Sequence, residues 1–258
     1  MVAVRRYAQY YTIMRNGLFS ILLFLPVLLS AQVINKFVYS GASGVDLSLG
    51  YISYYKFEDD YTDETGNYNG AGVNAPTFEA DEKCGTKNVY FLDDDQASNT
   101  GTVNFTNTFT ICYWVKMTND ARNQYMFANS AGTGSDGFWS YVTATGLINF
   151  RVSDGVDNSF ASSDNGAIDF DVFEFVAIRV DKDADTVNFW VDGVDVTDDN
   201  SLTNYDFDVS GNNFYIGSTN VGSNGAIAKY DEFMIFDELL SVATLQNIYT
   251  NVCSEWTQ

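Results

Sequence analysis

Apolar residues along this chain recur with a period of two, in short stretches broken by glycine, asparagine and aspartate. The segment Thr186-Val187-Asn188-Phe189-Trp190-Val191 shows it most plainly. Val187, Phe189 and Val191 share one face, as alternate residues of a strand do, and Asp192-Gly193 follows as a two-residue hairpin turn. The same pattern predicts strands over 49–57, 88–92, 109–117, 124–128, 138–143, 147–152, 173–180, 213–217 and 229–236. Thr145-Gly146 is expected to turn 138–143 into 147–152 by a second tight hairpin. Helical spacing occurs near the end of the chain, where Ser241 can cap and Val242, Leu245, Ile248 and Tyr249 follow three and four residues apart. The elements predict an all-β domain with a short C-terminal helix.

No repeat and no proline- or serine-rich linker divides the chain, so residues 46–253 read as one domain, with 254–258 as a tail. Twenty phenylalanines and 17 tyrosines against 2 prolines suit pleated strands. Thirteen lysines and arginines against 34 acids give a formal charge of −21. That field disfavours nucleic acid and anionic lipid as partners. The chain has no histidine, which removes Ser-His-Asp and Cys-His catalysis and leaves carboxylate-pair chemistry among the common hydrolytic schemes.

At the N-terminus, the apolar run Leu18–Leu29 lies behind Met14-Arg15-Asn16 and is followed by the small residues Ser30-Ala31. It reads as an export signal over 1–31, cleaved before Gln32. The run contains Pro26 and is shorter than the ~20 apolar residues of a spanning helix, so no stable membrane insertion is expected after cleavage. Met14 is an alternative start. Residues 32–45 read as an extended arm suited to strand addition and self-assembly. Of the three cysteines, Cys112 lies within an apolar strand and is expected to be a buried thiol, which leaves Cys84 to pair with Cys253 in an oxidising compartment.

Four stretches, in order, resemble the laminin G-like, concanavalin A-like (pentraxin-like) jelly rolls. They are Tyr54–Asp59 with Asp63–Asn67; Phe109–Lys116; Phe175–Ile178 with Val187–Gly193; and Tyr215–Gly217 with Tyr230–Phe236 and the terminal helix. The resemblance implies a two-sheet antiparallel jelly roll with a calcium site near one rim, drawn here from Glu58, Asp59, Asp60 and Asp63 near Asp231. As solvated turn residues, the same acids would hold no ion. Hydrolases of this fold place two Glu and an Asp at alternate positions of one strand, as in Glu-x-Asp-x-x-Glu; this spacing is absent, and Glu174 stands alone between Phe173 and Phe175. The resemblance therefore implies a secreted or cell-surface, non-catalytic module that binds a glycan or a surface protein. The alternative is a structural subunit of a surface assembly. The best aromatic cluster is Phe138, Trp139 and Tyr141, after a glycine-rich loop. Trp139 and Tyr141 share the face opposite Phe138, and one of the two sets faces solvent. The core side is the first choice for Trp139; the opposite arrangement would offer Trp139 and Tyr141 to a sugar, with Asn220 and Asn224 in a polar loop at the rim. Trp114 is expected as the core tryptophan of its strand.

Overall fold

The computed structural model describes residues 50–80, 83–92, 96–130, 135–202, 211–219 and 225–253. In chain order the strands are β1 (Tyr51–Tyr55), β2 (Ala71–Val73), β3 (Thr77–Ala80), β4 (Lys87–Phe91), β5 (Ala97–Thr102), β6 (Thr108–Met117), β7 (Gln124–Ser130) and β8 (Gly137–Val142). They continue with β9 (Ile148–Ser153), β10 (Asn158–Ser163), β11 (Phe173–Asp181), β12 (Thr186–Val191), β13 (Val194–Asp195), β14 (Thr197–Asp199), β15 (Asn213–Ile216) and β16 (Ala228–Phe236). One helix, α1 (Val242–Asn251), follows. The strands form two eight-stranded antiparallel sheets. The first runs β13-β12-β11-β6-β16-β4-β3, with β1 also on β16; the second runs β14-β10-β9-β8-β7-β15-β5-β2.

Period-two alternation puts one apolar set from each sheet into a shared core. Ile111, Tyr113, Val176, Ile178 and Phe189 come from the first sheet, and Phe127, Phe138, Phe150 and Phe214 from the second. Rings meet between the sheets, Phe109 with Phe138 at 5.0 Å and Tyr113 with Phe127 at 6.2 Å. Each such buried ring contributes roughly 1.5–3 kcal/mol of transfer free energy.

The Asp192-Gly193 turn forms as expected, with both residues at positive φ and Val191 paired to Val194. The β8–β9 turn is wider than predicted. Thr143 N donates to Leu147 O (2.9 Å) and Gly146 N to Thr143 O (3.0 Å), giving a three-residue loop with Gly146 at φ 76°. Glycine is required there, since an added Cβ would lie 2.4 Å from Ile168 O. The short or polar strands β2, β3, β5, β10, β13 and β14 escape the periodic reading. β5, Ala-Ser-Asn-Thr-Gly-Thr, has one apolar side chain and is held by its ladders to β15 and β2.

The helix forms as predicted: Ser241 Oγ accepts from Thr244 N, and Leu245 and Ile248 are buried. It lies on the outer face of the first sheet, where Tyr249 meets Trp114 (5.6 Å) and Phe175 (5.9 Å). Trp114 is thus buried under the helix rather than between the sheets, because its strand neighbours Tyr113 and Val115 take the core side. Cys84 and Cys253 form a disulfide with Cα atoms 4.7 Å apart, tying the end of the helix region to the loop before β4. Cys112 is a buried free thiol whose burial pushes its pKa up.

A bulge in β16 sets Glu232 and Phe233 against the single residue Tyr113. Glu232 has φ 49°, and Asp231 and Glu232 are both buried. Each carboxylate has donors: Tyr54 Oη gives to Glu232, Cys84 N to Asp231 Oδ2 (3.1 Å) and Glu232 N to Asp231 Oδ1 (2.9 Å). Such bonds offset the cost of burying charge.

Candidate ligand-binding face

With α1 on the first sheet, the second sheet's outer face is the place to look for a ligand surface. Its side chains stand in ranks that cross the strands. One rank runs Phe160, Arg151, Trp139, Ala128, Tyr215, Asn99. A second runs Ser162, Asn149, Tyr141, Tyr125. The β7 bulge sends Met126 and Phe127 both to the core and so restores Tyr125 to the outer face beside Tyr141. The Tyr125 and Tyr141 rings lie 5.6 Å apart, tilted by 52°, and both are half-buried. Burial raises both phenol pKa values, and the nearby Arg151 charge opposes the rise.

Arg151 projects from β9 over the Trp139 indole, its guanidinium carbon 5.5 Å from the ring centroid, and Nη2 donates to Asn158 Oδ1 at 2.6 Å. Phe160, directly across from Arg151 on β10, is 55 % exposed. Trp139 shares the outer face with Tyr141, as alternation requires, and not the core side that was its first choice. Phe138 takes the core side instead. At 1 % exposure Trp139 offers no free ring face; it lies beneath Arg151, and its Nε1 has no hydrogen-bond partner. Asn220, Asn224, the 1–31 signal, the 32–45 arm and the 254–258 tail lie outside the described residues.

Each of the five expected calcium ligands has protein partners. Asp63 is buried and accepts from Tyr54 N, Thr65 N, Thr65 Oγ1, Asn67 N and Tyr68 N, which organise the turn after β1. Glu58 takes Thr86 N and Oγ1, Asp60 takes Thr62 N, and Asp59 pairs with Lys87 at 3.5 Å. Asp231 sits in the β16 bulge. Among the described residues no three acidic, histidine or cysteine side chains gather to hold a metal. Calcium wants six to eight oxygens; here Glu58, Asp60, Asp63 and Asp231 accept from backbone amides, and Asp59 faces the Lys87 ammonium.

Sequence reasoning passed over Arg151, Tyr125 and Phe160. The signal for Arg151 was present in Ile148-Asn149-Phe150-Arg151-Val152, where the polar residues alternate with the core-facing apolar set. Phe160 stands alone as an aromatic in the polar strand Asn-Ser-Phe-Ala-Ser-Ser, where no alternating apolar set marks a face. Glu174 is nearly buried, with Asp169 and Asp192 close enough to raise its pKa. Burial is the larger cause; the Asp169 N–H at 3.0 Å opposes it, and the net value is about 7.

Two antiparallel sheets around an aromatic core, one outer face capped and the other carrying aromatic, amide and guanidinium groups, define a lectin-like β-sandwich. A laminin G-type family model, described as the concanavalin A-like lectin/glucanases superfamily, matches residues 92–246, and the chain belongs to that family. No curated protein sequence matches the chain. Among solved structures it is similar to the receptor-binding domain of botulinum neurotoxin type G, with TM-score 0.61 and 13% identity over 78% of this chain. The serotype D binding domain in complex with N-acetylneuraminic acid matches 79% of this chain with TM-score 0.60 and 12% identity. The chain spans about half of each toxin domain, 51% and 52% respectively. Domain 4 of AbnA, an extracellular arabinanase from Geobacillus stearothermophilus in complex with arabinotriose, is matched over 98% of its length and 78% of this chain, with TM-score 0.56 and 17% identity. At these identities the likeness is one of fold.

Proposed function

We propose that this chain is an exported, non-catalytic glycan-binding module and that the outer face of the second sheet is its sugar-binding surface. The Tyr125–Tyr141 pair carries the reading. Two half-buried rings beside Asn149 and Arg151 combine an apolar surface for the C–H face of a pyranose with polar groups for its hydroxyls. Family membership favours sugar binding, and two of the similar structures, by their descriptions, hold N-acetylneuraminic acid and arabinotriose. A binding role is favoured over hydrolysis because the carboxylates of Glu58, Asp60 and Asp63 serve turn and loop hydrogen bonds, and the chain lacks the Glu-x-Asp-x-x-Glu spacing. Export fits the Cys84–Cys253 disulfide, a bond that persists in oxidising compartments. Among the described residues no helix is long and apolar enough to cross a membrane.

The test is a glycan array probed with the folded protein. Retention on a defined set of oligosaccharides is expected, weakened about tenfold or more by Tyr141→Ala with melting unchanged. Folded protein that binds nothing across acidic and neutral glycans would overturn the reading.

A further inference from the structure

In a molecule of net charge −21, the second sheet's outer face carries a positive charge, Arg151, that has no carboxylate partner among the described residues. Lys56, Lys87 and Lys229 lie 3.6, 3.5 and 3.0 Å from the carboxylates of Glu64, Asp59 and Glu79, and Arg122 pairs with Asp120. Arg151 differs. Among the described residues its hydrogen-bond partner is the neutral Asn158, which takes one of the guanidinium's five N–H donors. Two acids of the same sheet serve local turns: Asp154 Oδ1 accepts from Val156 N and Asp157 N, and Asp199 Oδ1 from Ser201 N and Oγ. Among the described residues Arg151 Nε and Trp139 Nε1, cross-strand neighbours, are both buried without an acceptor. This part of the face therefore has more donors than acceptors. Its aromatic neighbours Tyr125 and Tyr141 are close enough for the Arg151 charge to bear on their ionisation.

From this geometry we propose that the ligand is an acidic sugar, a glycan bearing a carboxylate, whose carboxylate Arg151 receives while Tyr125 and Tyr141 pack on the ring. The proposal rests on the sugar-binding reading of this face and names the class of sugar. A planar guanidinium with unused N–H groups matches a carboxylate's two oxygens, a geometry that a lysine would not reproduce. Trp139 holds the guanidinium from below through a cation–π contact, so Arg151 is presented with one face already fixed. The protein's overall negative charge does not forbid this. At physiological ionic strength the screening length is about 8 Å, so a bound carboxylate responds mainly to the groups it touches.

The experiment measures binding of the full exported chain to oligogalacturonate, its methyl ester, sialyllactose, a sulfated oligosaccharide and a neutral xylo-oligosaccharide. Binding to oligogalacturonate or sialyllactose is expected to exceed binding to the neutral and esterified probes by about tenfold or more. Arg151→Gln should abolish that preference, Arg151→Lys should restore only part of it, and Tyr141→Ala should weaken all probes alike. Equal binding to acid and ester by the wild type overturns the proposal while leaving the sugar-binding reading intact. A preference for sulfate over carboxylate overturns it too. Binding to none of the probes, and to nothing on the array, is instead the failure of the sugar-binding reading itself. Esterification changes only the ligand, so the proposal is decided even if an Arg151 variant does not fold.

Discussion

Glu174 is held with its pKa at about 7, above the ordinary glutamate value of 4.5, mainly by burial at the start of β11. The folded protein therefore binds this proton more tightly than the unfolded chain does. The resulting stability is fully present below pH 4.5 and is lost as pH rises through 7, a change of the order of 3 kcal/mol at most. Glu174→Gln should flatten that slope in urea titrations between pH 4.5 and 8; a slope unchanged in the variant would place its origin elsewhere. Asp63 is the contrasting acid. Its carboxylate serves five donors in one turn, so Asp63→Asn should cost about 2 kcal/mol, seen as a melting point several degrees lower. Neither environment was visible in sequence: Asp63 read as a calcium ligand or a solvated turn acid and Glu174 as a lone acid between two phenylalanines, because hydrogen-bond partners across a turn leave no periodic trace. Arg151 was overlooked for the same kind of reason. What distinguishes it is its place over Trp139 and beside the Tyr125–Tyr141 pair, which depends on the register of β7, β8 and β9.

Among the elements, α1 and the disulfide secure the outer face of the first sheet. Ser241→Ala removes a helix cap and should destabilise by about 1 kcal/mol. Replacing Cys84 and Cys253 together by serine should cost roughly 2–5 kcal/mol, since the bond closes a loop with a sequence separation of 169 residues. Both changes are read by chemical denaturation, and both should leave binding at the second sheet intact, because α1 packs on Trp114 and Phe175 of the first sheet. The long strands β6, β11, β12 and β16 were legible because a buried face imposes alternation on them. β5 and β10 were not, since Ala-Ser-Asn-Thr-Gly-Thr and Asn-Ser-Phe-Ala-Ser-Ser owe their conformation to neighbouring ladders. The β8–β9 loop shows how a turn type is chosen by contacts: Gly146 O receives Ile168 N from a distant loop, and three residues rather than two bridge the strands.

Across the whole molecule, the described acids are spread over turns, ion pairs and the β16 bulge instead of gathered at one rim. A rise of several degrees in the melting point with calcium, reversed by a chelator, would demonstrate a bound ion. Alternation, turn residues and composition determined by themselves that this chain is an aromatic-rich all-β domain with a terminal helix, since burying one face of each strand is a local demand written every second residue; the two-sheet arrangement was legible through the family resemblance. Elimination of Cys112 pointed to the Cys84–Cys253 pair, and the approach of their Cα atoms was decided by the fold. Which outer face the helix would cover, that Trp139 would lie beneath Arg151, and which protein donors would meet the acids of the turn after β1 were decided only in the tertiary structure. Those outcomes depend on strand order and register between residues far apart in sequence, and on which donors reach each polar group first.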